Sequence, residues 1–165
     1  MTSGTETTRF FPTFGPTAER EPFWFLGGQA RILLPGAATD NRLSLMEFAD
    51  PAGHASPHHV HEDEEEVWFL LDGEVTFFVG DRRHDLVPGQ VAHGPRGVPH
   101  SYLVRSPEGA RMAVLFSPAF IEEYFRANGT PVAEVGDLPP EFDLGAVVAS
   151  AEAFHLRVTG PPPSL

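Results

Sequence analysis

The sequence predicts an all-β chain, an antiparallel sandwich or small barrel with one or two short helices near its C-terminus. Short apolar stretches recur along the chain with Gly, Pro and Asp at the joints, which is the pattern of strands joined by tight turns. His59 and His61 are spaced for one face of an extended strand, because alternate side chains share a face. After Ser117-Pro118 the apolar spacing changes from that of a strand to that of a helix.

Each element follows from its own residues. Phe23–Leu34 reads as strand, Gly27-Gly28 turn and strand, and Asn41–Ala49 alternates as a strand leading into a histidine block. Glu66 lies an odd number of residues past His61, so an unbroken strand would turn it to the opposite face. The run Glu62–Glu65 must therefore be a turn or bulge that resets the phase, and it reads as a solvated loop tip. Were that loop one residue shorter, Glu65 would take the place of Glu66. Val67–Leu71 resumes the apolar pattern and Asp72-Gly73 supplies a hairpin turn. Glu74–Val79 and Arg82–Val87 are strands joined at Gly80-Asp81, and Pro88-Gly89 turns the chain again. Pro95, Gly97 and Pro99 make a tight entry to His100, and Ser101–Val104 leads out as a strand. Ala110–Phe116 closes the run. Ser117 reads as an N-cap with Pro118 in the first turn of a helix over about 118–128. Its apolar face would be Phe120, Ile121, Tyr124 and Phe125, with a stop at Asn128-Gly129. A second helix is expected over 143–154, capped by Asp143.

Composition bounds the function. With 165 residues the expected organisation is an arm over 1–20, a domain over 21–160 and a tail over 161–165. A hydrophobic content of 41% with 14 Phe supports a packed core, so neither metal nor disulfide is needed to hold it. The chain has no cysteine, which fits a cytoplasmic protein and removes thiolate ligands. No secretory signal or membrane span is visible in it. A net charge of −12 argues against nucleic acid, whose phosphates demand the opposite sign.

Three imidazoles and a carboxylate, from His59, His61, His100 and Glu66, suit one divalent first-row metal per chain. Four protein ligands would saturate a tetrahedral zinc, whereas an octahedral ion keeps two positions free. Iron, manganese, nickel or cobalt therefore fit a catalytic role better than zinc, with five-coordinate zinc left open. Trp68 shares parity with Glu66, and Tyr102 with His100, so both are expected to line the interior beside the metal. Met46, Phe48 and His93 are further pocket candidates. His58 is expected to face outward, His54 to be a bystander at a turn, and His84 and His155 to face solvent.

Two blocks, over 53–73 and 89–104, resemble the motifs of the cupin superfamily. The first is carried by Gly53, His59, His61, Glu66 and Gly73, and the second by Gly89, Pro95, Gly97 and His100. Val104 stands where the family has a structural Asn. The segments `FIEEYFRANGTP` and `FHLRVTGPPP` are similar to small quercetin 2,3-dioxygenase-like bacterial cupins. The resemblance implies a jelly-roll, or double-stranded β-barrel, and a dioxygenase using dioxygen on a small aromatic or enolic substrate. In it Glu66 is both metal ligand and proton acceptor. The same ligands also serve non-oxidative isomerases and cyclases, or a non-catalytic binding module. A homodimer is implied as well, with `RFFPTF` and `PFWFL` as candidate contact stretches.

Overall fold

A computed structural model describes residues 21–164. The expected N-terminal arm, with its `RFFPTF` stretch, lies outside the described residues. The chain enters through β1 (Phe23–Phe25), β2 (Gly28–Leu34) and β3 (Ser44–Asp50), then β4 (His58–His61) and β5 (Glu65–Asp72). β6 (Val75–Val79), β7 (Arg82–Leu86), β8 (Val91–Gly94), β9 (His100–Val104) and β10 (Ala110–Ser117) follow. The C-terminal part holds α1 (Glu122–Asn128), β11 (Thr130–Pro131), α2 (Val132–Val135), α3 (Leu144–Ser150) and β12 (Leu156–Gly160).

Among the described residues these strands form two antiparallel sheets, the sandwich that the strand pattern predicted and the jelly-roll that the resemblance implied. One has the order β11-β1-β2-β3-β10-β5-β8 and the other β12-β4-β9-β6-β7. Long strands dominate the larger sheet, where β10 pairs with both β3 and β5 over nearly its whole length. Their inward residues meet in one core: Met46, Val75, Phe77, Met112 and Phe116 are all fully buried. Each such side chain contributes about 1.5–3 kcal/mol over an exposed one.

The end of the barrel is closed by aromatic packing from α1. Phe125 meets Phe25, Phe48 and Phe116 with ring centroids 4.9, 5.3 and 6.0 Å away. Glu122 is buried and both its oxygens accept from Gly36 N–H, at 3.1 and 3.0 Å, tying α1 to the loop after β2. This helix begins four residues later than the expected start at 118. Ser117 ends β10 instead, and its hydroxyl donates to Arg42 O at 2.9 Å, so it is not free to cap. Phe120, placed on the apolar face by spacing, precedes the helix and is exposed. Asp143 does cap α3, accepting from Ala146 N–H at 3.1 Å, and a 3-10 turn over Ala151–Phe154 extends that helix.

Glu47 on β3 is buried and bridges two guanidinium groups. Arg31 Nε donates to it at 2.6 Å and Arg111 Nε at 3.1 Å. Burial pushes its carboxyl up, but the bonds and charges of Arg111 and Arg31 outweigh that and hold it below its ordinary 4.5. A depressed folded-state pKa stabilises at neutral pH, and the contribution fades as pH falls below 4.5. Glu47→Gln is therefore expected to cost roughly 1–3 kcal/mol at neutral pH in urea unfolding. The gap between variant and wild type should shrink at about pH 3; a gap that stays constant would show that charge is not involved.

Candidate metal centre

The register of the two sheets assembles the site. His59 on β4 pairs directly with His100 on β9 in the smaller sheet. Glu66 comes from β5 of the larger sheet, between Phe116 and Gly94. Residues 62 and 63 bend the chain between β4 and β5, the phase break that the odd spacing of His61 and Glu66 required. Gly94 is needed for close approach: a Cβ there would lie 2.8 Å from both His100 Nδ1 and Trp68 Cη2.

Glu66 Oε2 stands 3.0 Å from His61 Nε2, 3.1 Å from His100 Nε2 and 3.8 Å from His59 Nε2. One ligand atom from each of the four residues lies within 4.8 Å of all the others. Donors bound at about 2.1 Å to a six-coordinate ion stand about 3 Å apart when adjacent and about 4 Å when opposite. The donor set and its spacing fit a single divalent ion. The backbone prepares the rings for it. His59 Nδ1 is 2.7 Å from Pro57 O and His100 Nδ1 is 2.9 Å from Val98 O. A carbonyl only accepts, so each Nδ1 carries the proton and each Nε2 turns its lone pair inward.

His61 is held differently. Its Nδ1 faces the Glu64 carboxylate at 3.5 Å, and Glu64 is 1% exposed. Neither Glu64 oxygen nor His61 Nδ1 has a hydrogen-bond partner among the described residues. A buried carboxylate without donors is costly unless positive charge stands near it. An ion held by the far nitrogen of His61 would supply such charge, and a carboxylate behind a ligating imidazole fixes its tautomer and orientation. Glu64 was expected in a solvated loop tip. It is buried because the chain turns inward before β5 starts, with Glu62 left exposed in its place. Its parity with Glu66 was the available signal.

Electrostatics divide the cluster. Burial pulls His59 down to about 4, with Glu66 only partly offsetting it. Burial also opposes charge on His61, but Glu64 and Glu66 lift it to about 9. Burial raises the Glu66 carboxyl, yet the surrounding imidazoles of His100, His59 and His61 outweigh it and hold it well below 4.5.

An apolar cavity opens over this cluster. Phe48, Trp68 and Tyr102 line it, together with His59, His61 and Glu66. Met46 is fully buried in the core and is not on the cavity wall. His93 is a correction: β8 turns Ala92 and Gly94 inward, so His93 is exposed and its Nε2 sits 2.8 Å from Glu65 Oε2 at the surface. Glu65 is thus engaged outside the site. His54, expected as a bystander, is on the cavity wall with Asp50. His58 is half-buried, with Nδ1 3.1 Å from Ser101 Oγ. His84 is exposed, and His155 is exposed but paired with Asp63.

The family model for the cupin domain matches residues 46–116. These residues form a cupin domain. It is 27% identical over 135 residues to quercetin 2,3-dioxygenase of Bacillus subtilis (strain 168), a match over 79% of this chain. The cupin spans 39% of that protein's length. Among solved structures, a predicted oxalate decarboxylase from Thermotoga maritima aligns with TM-score 0.58 at 21% identity, over 64% of this cupin and 99% of that chain. An RmlC-like cupin from Shewanella frigidimarina aligns with TM-score 0.56 at 20% identity, over 67% and 94%. These two likenesses concern the fold.

Proposed function

We propose that this cupin is a metal-dependent dioxygenase acting on a small aromatic or enolic substrate, flavonoid- or polyketide-like in shape. The observation that carries the reading is an aromatic-walled cavity lined by His59, His61 and Glu66, which cluster with the buried His100 within 4.8 Å. Such a cavity favours a flat apolar body, with orientation set by a few polar groups. Similarity to a quercetin 2,3-dioxygenase supports the oxidative class.

His59, His61, His100 and Glu66 would hold one divalent transition metal, with Glu64 positioning His61. When bound, that ion supplies Lewis acidity and, if redox-capable, a path for electrons to dioxygen. Trp68 and the phenylalanines around it exclude water from the reacting atoms. Glu66 directs Oε2 at the imidazoles, while Oε1 takes none of those contacts, and Oε1 is the oxygen we assign to the substrate's acidic proton.

The test is oxygen uptake with a flavonol such as quercetin as the first probe, on protein purified without added metal. Uptake that slows at least about 100-fold in Glu66→Ala is the expected result. Turnover that proceeds unchanged without oxygen assigns the cupin to non-oxidative isomerases or cyclases, and a ligand recovered intact assigns it to binding. Elemental analysis adds a separate check, with iron, manganese, nickel or cobalt expected over zinc.

Glu64→Ala is expected to weaken metal affinity by about 10–100-fold, and Glu64→Gln to recover part of the loss through its side-chain carbonyl. Competition with a chelator measures both. Equal affinity in all three proteins would remove Glu64 from the site.

We also propose a homodimer. Phe69 and Val91 are cross-strand partners at the surface of the larger sheet, 40% and 52% exposed, and a second copy would cover them. A monomer by light scattering rejects this.

A further inference from the structure

The cavity has a second polar pole that no metal-binding role explains. Asp50 closes β3 and is 4% exposed. Its Oδ2 accepts from the Tyr102 hydroxyl at 2.7 Å. Its Oδ1 stands 3.7 Å from His54 Nε2, too far for a hydrogen bond. The His54 and Tyr102 rings stack at 6.0 Å. Asp50, His54 and Tyr102 line the same cavity as His59, His61 and Glu66. The position is built: a Cβ on Gly28 would overlap the Asp50 carboxylate, so the neighbouring strand leaves room for it. Along β9 the pole is displaced from His100 by two residues, about 7 Å.

A carboxylate accepts about four hydrogen bonds, and this one receives a single side-chain donor from the protein. We propose that Asp50, with His54 and Tyr102, reads a hydrogen-bond-donating hydroxyl or amine on the substrate at the end remote from the imidazole cluster. The inference rests on the cavity being the substrate site and narrows the substrate class. The ligand is bipolar, with an apolar aromatic body, one polar end at Glu66 and a second, donating end at Asp50. A ligand lacking that donor leaves a desolvated carboxylate unpaired, which is how buried polar sites discriminate. Tyr102 holds Asp50 in place, and His54 faces the donating group from the other side.

Calorimetric titration of the 165-residue chain as purified tests this with two probes, 2,6-dihydroxynaphthalene and 6-methoxy-2-naphthol. They share one hydroxyl and differ at the far end only in the ability to donate. Wild type is expected to bind the diol about tenfold more tightly. Asp50→Ala should bring the ratio to near one without weakening the methoxy compound. Asp50→Asn, which preserves shape, should lower the ratio at least about threefold and serves if the alanine variant does not fold. A wild-type ratio near one, a ratio unchanged in Asp50→Asn, or no binding of either probe overturns the inference. The readout uses no oxygen, so failure of oxygen uptake sinks the dioxygenase reading while leaving this ratio to be judged on its own.

Discussion

Glu66→Ala protein, expressed and purified without added metal, is expected to carry less than about a tenth of the wild-type metal while keeping the wild-type circular dichroism. Supporting carboxylates around metal sites are worth about 10–100-fold in affinity, and a direct anionic ligand should exceed them. Glu66 is the only carboxylate within reach of all three Nε2 atoms, at 3.0–3.8 Å, among the described residues. Without it three neutral donors remain in a buried setting, and an ion there keeps an uncompensated charge. The fold should survive because the ladder around residue 66 is made by backbone, with Phe116 and Gly94 opposite it. Metal content is read by elemental analysis. A wild-type metal-to-protein ratio in the variant would sink the proposed centre.

Trp68→Ala is expected to destabilise the fold by about 3–5 kcal/mol, the range for removing a buried large aromatic. Trp68 is 1% exposed and packs on Phe77 at 5.0 Å and edge-on to His100 at 5.3 Å. Its indole also fills the space over Gly94, so its loss frees the His100 ring to tilt. For a chain of this size each kcal/mol moves the melting temperature by about 2–4 °C, which gives a fall of roughly 6–20 °C. Thermal unfolding with and without metal measures it, and metal affinity should drop less than in Glu66→Ala. A melting temperature within about 2 °C of wild type would mean that the wall collapses onto the gap, contrary to the close packing seen here.

Much of the fold was legible because strands and tight turns are written locally. Gly27, Asp72-Gly73 and Gly80 mark their turns in the positions expected, and Gly27, Gly73 and Gly80 all adopt positive φ. Helix boundaries were less legible. Ser117 has the right chemistry for a cap, but a carbonyl from Arg42, distant in sequence, takes its hydroxyl. Parity pointed Trp68 and Tyr102 inward and both lie on the cavity wall, whereas for His93 nothing local says which face of β8 turns inward. Runs of charge are the weakest evidence. Five consecutive acidic residues from Glu62 to Glu66 look alike in sequence, yet Glu64 and Glu66 are buried while Glu62 is exposed.

What the sequence by itself determined is the strand-and-turn order and the identity of the four residues with metal-ligand chemistry, since spacing and donor type are local properties. The tertiary structure alone decided that they converge, because His59 and His100 belong to one sheet and Glu66 to the other. It also decided that Glu64 and Asp50 are buried and that His54 lies on the cavity wall. Their charge is cheap in water and expensive in a core, so their meaning depends on burial, which is a property of the packed sheets and not of any local stretch of chain.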